Sequence, residues 1–323
     1  MKKFLSLVLA LVMTMSLVTV SAGAVDFTDD SDIDYKEAVD VISALGIVDG
    51  YSDDSFRPDG SLTRGAAAKI ICNLILGPTT ASALSATTAP FKDVPTTNTF
   101  AGYITYCAQQ GIIGGYGDGT FRPSGTLTGN AFMKMLLGAL GYDSSIEGYS
   151  GANWQVNVIK QAVGIGLKDG NDEFVGSKAV TRQEAALYAF NMIQANLVQY
   201  DSKTTVNVNG ATVTVAGDKA ENIPQDGSGY DNTMNDSENV VQFAEKHFPR
   251  LTRTNDGVDD MGRPATEWKY RTDIIGKYAD DSDLKGTWTS KVSKDELYDL
   301  VGGSIVSELT ETRPEADLSV WVN

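Results

Sequence analysis

Residues 115–130 read GYGDGTFRPSGTLTGN, a glycine-rich loop that contains Arg122. Loops of this type bind phosphate groups in some proteins, because their backbone N–H groups can approach an anion closely. The spacing excludes the two common nucleotide motifs. A P-loop requires Gly-Lys-Ser/Thr, and the dinucleotide fingerprint requires a third glycine where Thr120 stands. We therefore predict that the glycines supply turns with positive φ.

The same loop occurs again along the chain. GYSDDSFRPDGSLTRG, residues 50–65, matches it at nine of sixteen positions, and DGNDEFVGSKAVTRQE, residues 169–184, is a weaker third copy. The distance from phenylalanine to threonine is seven residues in each copy, which predicts a repeat architecture. The three phenylalanines are predicted to fill the core: Phe56, Phe121 and Phe174.

Each loop lies between two predicted helices. The upstream helix has apolar residues at three- and four-residue steps and ends at a glycine, such as Gly46 or Gly111. A threonine then caps the downstream helix, and in the third copy Thr181 and Glu184 form a capping box. Such a helix-loop-helix unit cannot bury its apolar face alone, so the three copies are expected to pack together.

An arginine directly follows the threonine cap in two copies, at Arg64 and Arg182. An incoming carboxylate would meet a fork-shaped cation there, together with unpaired backbone N–H groups and the positive end of the helix dipole. The residues alone leave a second interpretation open, an arginine that is solvated or paired with a loop aspartate. The second copy has Gly129 at this position, and we expect it to keep the fold and lose part of its binding surface.

These motifs resemble those of the S-layer homology family. That family combines an F-x-D-V start, a helix ending near G-I-[IV]-x-G-Y, a D-G-x-F-R-P loop and a T-R-x-E helix start. Here the starts are Phe27-Thr28-Asp29 and Phe91-Lys92-Asp93, followed by GIVDGYSDDSFRP and GIIGGYGDGTFRP. The resemblance implies a mainly α fold in which three repeats form a pseudo-threefold trefoil. It also implies non-covalent anchoring to a secondary wall polysaccharide attached to peptidoglycan, often one that carries ketal-linked pyruvate.

The resemblance further implies a carbohydrate site in grooves between neighbouring repeats. For Arg57 and Arg122 the residues leave two roles open, ligand contact or a tie to a neighbouring aspartate. Trp154 either stacks on a sugar ring or is buried, and burial is favoured. The predicted carbohydrate-binding residues are Arg64, Arg182, Arg57, Arg122, Thr63, Gly50, Tyr51, Gly115, Tyr116 and Trp154.

The chain ends define further expectations. Residues 1–24 combine two lysines, an apolar run and Ala22-Gly23-Ala24, which predicts a signal peptide cleaved after Ala24, with a retained membrane anchor as the alternative. The mature protein is then expected in the wall or surface layer of a Gram-positive-type bacterium, without membrane contact. The formal net charge of −16 opposes nucleic-acid binding.

Isolated residues with reactive side chains predict little chemistry. Cys72 and Cys107 lie in apolar helical sequence, where buried free thiols are the usual outcome and one disulfide is the alternative. His247 is predicted to be a surface or half-buried ring. Asp280, Asp281 and Asp283 resemble a calcium loop, but Lys291 stands where the ligating glutamate belongs. We predict no catalytic residue, metal or cofactor.

We expect residues 25–200 to form the module, with repeats at 27–77, 91–141 and 149–195. Residues 201–237 should form a β-hairpin, with strands in 204–217 around Asn209-Gly210, and then a polar loop or linker over 218–237.

Residues 238–323 should form a small α+β region. They include a short helix in VVQFAEKHFPRL, a strand in GRPATEWKYRTDIIGKY and a helix in SKDELYDLVGG. The strand-like end LSVWVN suggests the start of a longer protein. The predicted function is wall anchoring, in a surface-layer subunit that self-associates or, alternatively, in a tethered enzyme or adhesin.

Overall fold

A computed structural model describes residues 25–200, 204–208, 211–215, 219–225, 239–259 and 264–279. The predicted signal peptide, the aspartates at 280–283 and the C-terminal helix and strand predicted after residue 290 lie outside these ranges. Among the described residues, those up to Thr254 form one compact unit together with Trp268–Gly276. The remaining described residues belong to a second unit.

Residues 25–195 contain seven α-helices, and the sequence pattern predicts six of them. The first helix of each predicted repeat is followed by a glycine-rich loop and then by the second helix, with one extra short helix after the first repeat. The helices are α1 Lys36–Ala44, α2 Arg64–Leu76, α3 Pro78–Ser82, α4 Ala101–Gln109, α5 Gly129–Leu140, α6 Trp154–Gly164 and α7 Arg182–Ile193.

Local sequence determines where these helices begin and end. Gly46, two residues after α1, has a φ of 69°, a left-handed conformation that glycine adopts without a steric penalty. Thr63, Thr128 and Thr181 are the N-caps of α2, α5 and α7, and each side chain accepts a bond from a backbone N–H three residues on. The capping box of Thr181 with Glu184 is confirmed.

The helices of the three predicted repeats contact one another in a cycle. α2 packs against α4, α5 against α6, and α7 against α1. Isolated β-bridges connect the loops in the same cyclic order. In addition, the first backbone N–H of the second helix in each repeat donates to a loop carbonyl of another repeat. The three pairs are Arg64 with Gly125, Gly129 with Lys178, and Arg182 with Gly60, at 2.9, 3.0 and 2.9 Å.

The core lies between these helices. Phe56 and Phe121 are almost fully buried, as predicted, whereas Phe174 is half-buried against the edge of the Tyr188 ring. Cys72 and Cys107 are buried free thiols, with their Sγ atoms 3.6 Å apart. Among the described residues, no helix has the length and apolar character that crossing a membrane requires.

The strands begin after α7. β1 Val198–Tyr200 pairs with β4 Ala220–Asn222, and β2 Thr204–Val208 pairs antiparallel with β3 Ala211–Val215, which is the predicted hairpin. The structure thus corrects the prediction of a linker over 218–237. Part of it is strand β4, since its backbone groups find partners in β1.

The described C-terminal part contains one helix and three strands. Helix α8, Phe243–His247, confirms the predicted short helix, and the His247 ring is half-buried. Strands β5 Leu251–Val258, β6 Pro264–Tyr270 and β7 Asp273–Ala279 are hydrogen-bonded in chain order. The single strand predicted over residues 262–278 is therefore two strands, divided at a turn where Arg271 has a φ of 61°.

Candidate functional site

The F-x-D aspartates hold the F-R-P turns in place. The carboxylate of Asp29 accepts the backbone N–H groups of Phe56 and Arg57, each at 2.7 Å. Desolvation raises the pKa of Asp29, but these bonds outweigh it and lower the pKa overall. Arg57 has a φ of 57°, a conformation that costs energy for a residue with a side chain. The carboxylate offsets this cost. Asp93 bonds the second turn in the same way.

The F-R-P arginines are paired within their own loops. Arg57 lies 2.9 Å from Asp53, and Arg122 lies 3.1 Å from Asp118. Both pairs are exposed, so they contribute little to stability. Each guanidinium also covers an exposed tyrosine of its loop, with centroid distances of 4.0 and 4.1 Å to Tyr51 and Tyr116. Of the two roles left open by the sequence, the tie to an aspartate is present.

Arg64 extends from the start of α2 into the loop of the second repeat. Its Nε donates to the Phe121 carbonyl at 2.7 Å, and its Nη2 donates to the Gly114 carbonyl at 3.2 Å. The guanidinium lies against the rings of Tyr116 and Phe121. Within the described chain it forms no ion pair with a carboxylate, and Nη1 has no hydrogen-bond partner.

Arg182 is held in an equivalent way against the loop of the first repeat. Its Nε and Nη2 donate to the carbonyls of Phe56 and Asp49, at 2.7 and 2.8 Å. Burial lowers the pKa of both Arg182 and Arg64. The two guanidinium charges are thus positioned by carbonyl dipoles and not by carboxylates, which leaves each able to pair with an anion.

The helix N-termini do not provide the free N–H groups that the sequence interpretation assumed. The N–H of Arg64 donates to Gly125, that of Gly65 donates to Pro123, and that of Ala66 donates to the Thr63 hydroxyl. The first three backbone N–H groups of α5 and of α7 have hydrogen-bond partners in the same pattern. That expectation was wrong, because these groups join neighbouring repeats, so an anion would have to be bound by side chains.

Groove 2 is the groove that contains Arg64. It encloses about 350 Å³ between the second loop, the start of α5 and the start of α6. Lys134 of α5 lines it and donates to the Tyr149 carbonyl at 2.6 Å, while its Nζ lies 5.7 Å from the centroid of the Trp154 ring. Trp154 is half-buried, so one part of the ring remains available in the groove. Burial lowers the pKa of Lys134.

Groove 1 is the equivalent surface around Arg182 and the first loop. Lys69 of α2 occupies the position that corresponds to Lys134, five residues after the start of its helix. Its Nζ is ion-paired with Asp49 at 2.8 Å. Groove 1 therefore has the same combination of a helix-start arginine and a helix lysine as groove 2, but a carboxylate of its own loop is ion-paired with the lysine.

Groove 3 lies around the third loop, where Gly129 replaces the arginine. It encloses about 510 Å³. A Cβ at Gly129 would lie 2.9 Å from the Phe174 ring, so a side chain there would displace that ring. Its charged lining residues are five carboxylates and one lysine: Asp34, Asp59, Asp172, Glu173, Glu184 and Lys178. This groove is unsuited to an anionic ligand.

The structure brings together most of the predicted site residues, but in two separate grooves. Gly50 and Gly115 lack a side chain for a packing reason, because a Cβ would lie 2.7 and 2.5 Å from the rings of Phe27 and Phe91. Thr63 acts as a helix cap. The prediction missed Lys69 and Lys134. Both lie five residues after the first residue of their helix, so an alignment of the second helices of the copies could have found them.

Comparison with known proteins gives the family of two segments of the chain. Residues 26–68 and 90–132 match the S-layer homology domain. The surface layer protein of Brevibacillus choshinensis is 26% identical over 216 residues, which cover 66% of this chain and 19% of that protein. The cellulosome-anchoring protein of Acetivibrio thermocellus is 38% identical over 79 residues, or 24% of this chain and 17% of that protein.

One of the relatives is named as an enzyme. Exoglucanase XynX of Acetivibrio thermocellus is 24% identical over 184 residues, which cover 53% of this chain and 16% of the enzyme. The chain thus matches less than a fifth of the length of each of these three relatives.

The matched residues are those that form the F-x-D turns, the glycine-rich loops and the arginine-bearing start of α2. This chain carries S-layer homology domains at residues 26–68 and 90–132. It is a cell-surface protein of a Gram-positive-type bacterium.

Proposed function

We propose that residues 25–200 anchor this protein non-covalently to the cell wall by binding an acidic secondary wall polysaccharide, with a pyruvate ketal as the acidic group. The observation that carries the proposal is the state of Arg64. Its guanidinium is half-buried, held by two carbonyls and unpaired with any described carboxylate. A cation held in this way gains more from an anionic ligand than a solvated arginine would.

The other groups of groove 2 suit a sugar that carries an acid. Lys134 supplies a second positive charge, and the half-buried Trp154 offers a flat apolar surface for a pyranose ring. Tyr116 contributes a third polar contact at the entrance, where the residue is 43% exposed. The groove thus combines charge and stacking, which together would orient one acidic sugar unit.

Co-sedimentation of the full chain with purified cell walls tests the proposal. We expect Arg64→Ala to weaken wall binding at least tenfold, and Arg64→Lys to retain part of it because the charge remains. Arg250→Ala is the matched control, since Arg250 is exposed and lies outside the grooves. Wild-type binding should disappear when the polysaccharide is removed from the walls. Unchanged binding by folded Arg64→Ala would refute the assignment.

We also propose that the three helix-loop-helix segments are three repeats of one pseudo-threefold module. The cyclic helix contacts and the three equivalent backbone bonds support this, although Val175 and Gly176 replace the Arg-Pro of the other loops. A protein truncated after α5 would then lack one third of the cycle. It should unfold at a markedly lower temperature than the full chain.

The role of the whole protein is a second question, for which the relatives suggest two answers. A non-enzymatic surface-layer subunit is favoured, because the Brevibacillus choshinensis relative is named as a surface layer protein. Electron microscopy of the purified chain would then show two-dimensional arrays. The named exoglucanase relative supports a tethered glycosidase instead. Polysaccharide hydrolysis by the full chain would favour that alternative.

A further inference from the structure

Grooves 1 and 2 share three cations and a tyrosine, but groove 2 also has Trp154 at the start of α6, where α4 begins with Ala101. The first loop also has Asp54 where the second has Gly119. Each groove has an arginine held by two loop carbonyls, a tyrosine between that arginine and a second one, and a lysine from the following helix. The corresponding residues are Arg182 and Arg64, Tyr51 and Tyr116, Arg57 and Arg122, and Lys69 and Lys134.

The difference in charge next to the groove lysine lies at the position that immediately precedes the Gly-Tyr pair of each loop. It is Asp49 in groove 1 and Gly114 in groove 2. The backbone carbonyl performs the same task in both, since it accepts a bond from the groove arginine. Only the side chain changes, and it adds one negative charge to groove 1.

The Asp49 carboxylate lies among the cations of groove 1. It bonds the Lys69 Nζ at 2.8 Å, and its charge acts on Arg182, where it opposes the lowering of the arginine pKa by burial. In groove 2 no described carboxylate forms an ion pair with Lys134, whose ammonium instead faces a carbonyl and the Trp154 ring.

We propose that Asp49 is a built-in occupant of groove 1, so that groove 2 is the principal anion site of the protein. The residue at positions 49 and 114 then affects how tightly each groove binds an acidic sugar group. The proposal rests on the proposed function, because it assumes that the grooves bind an anion. It goes further in assigning a difference in anion affinity between the grooves to a single side chain.

The magnitude is bounded by the exposure of the ion pair. The side chains of Asp49 and Lys69 are 61% and 37% exposed, and ion pairs with this exposure are weak. An incoming anion must displace this pair and also bear repulsion from the carboxylate. We therefore expect Asp49 to weaken binding in groove 1 by about three- to tenfold.

The two positions can be exchanged without changing the net charge. A Cβ at Gly114 has nothing within 4 Å, and its backbone is not left-handed, so Gly114→Asp should fold normally. The variants are Asp49→Gly, Gly114→Asp and the double exchange. Asp49→Asn serves as a neutral replacement if the glycine variant proves unstable, and Val163→Asp, on an exposed site of α6, controls for added charge.

Isothermal titration calorimetry of the full chain would test this with three probes. These are the methyl glycoside of a hexosamine carrying a pyruvate ketal, the same glycoside carrying a phosphate, and the uncharged glycoside. We expect one strong site in the wild type, a second site that binds about three- to tenfold more tightly in Asp49→Gly than in the wild type, and about three- to tenfold weaker binding in Gly114→Asp. The double exchange should shift binding toward groove 1, so that Arg182→Ala weakens binding more, and Arg64→Ala weakens it less, than in the wild-type background.

The outcomes separate the inference from the function on which it rests. Binding of an acidic probe that neither exchange changes would overturn the inference alone. Binding of only the phosphate probe, with the expected responses to the exchanges, would support the inference and replace pyruvate in the proposed function. Failure of the wild type and every variant to bind either acidic probe would overturn both.

Discussion

Replacement of Asp93 by alanine should destabilise the protein, because it removes the carboxylate that holds the F-R-P turn of the second loop. The carboxylate accepts two backbone bonds, from Phe121 and Arg122, each at 2.7 Å. A hydrogen bond to a charged group contributes about 1.5–3 kcal/mol when buried, and less for the exposed Arg122 N–H. Arg122 also has a φ of 60°, which the bond helps to maintain. We therefore expect a loss of about 2–3 kcal/mol.

The measurement is urea unfolding of the full chain at neutral pH, followed by circular dichroism. A loss of this size corresponds to a decrease of about 5–10 °C in melting temperature for a domain of roughly 200 residues. Asp93→Asn retains one acceptor oxygen, so its loss should be intermediate. Asp29→Ala is the equivalent change in the first repeat and should behave alike.

The acid dependence provides a second test of the same reasoning. Desolvation raises the pKa of Asp93, but the two backbone bonds lower it further, so its folded-state pKa lies below the ordinary value. The contribution is then fully present above about pH 4 and is lost as the pH falls below that value. The difference between wild type and Asp93→Ala should shrink in that range. A variant within 0.5 kcal/mol of wild type at neutral pH would refute the argument.

Three further predictions concern single residues. Desolvation lowers the pKa of His247 to about 4, so the free energy of unfolding should decrease by about 2 kcal/mol as the pH falls from about 6.5 to about 4. In urea unfolding at several pH values, His247→Gln should reduce this pH dependence. Thr181→Ala removes the capping box of α7 and should cost about 1–2 kcal/mol in the same assay. Gly102→Ala should lower the melting temperature although alanine favours helices, because its Cβ would overlap the Leu84 carbonyl; a higher melting temperature would contradict this packing.

The sequence was sufficient for the local structure and for the family. Repeated glycines, threonine caps and apolar spacing depend on backbone conformations within a few residues, so the six main helices of residues 25–200 and the hairpin could be predicted. It also supplied the motifs that resemble S-layer homology domains. It could not supply strand β4, because the residues that pair with it lie about twenty positions earlier in the chain.

The binding surface required the tertiary structure, because it is built between repeats. The sequence associated each arginine with its own loop, and so the loop at 115–121 seemed to have lost its cation with Gly129. In the folded chain Arg64 reaches that loop from the preceding repeat, and the missing arginine affects groove 3. Arg64 and Arg182 each contact a loop at least fifty residues away in the sequence, a separation at which local sequence patterns carry no information.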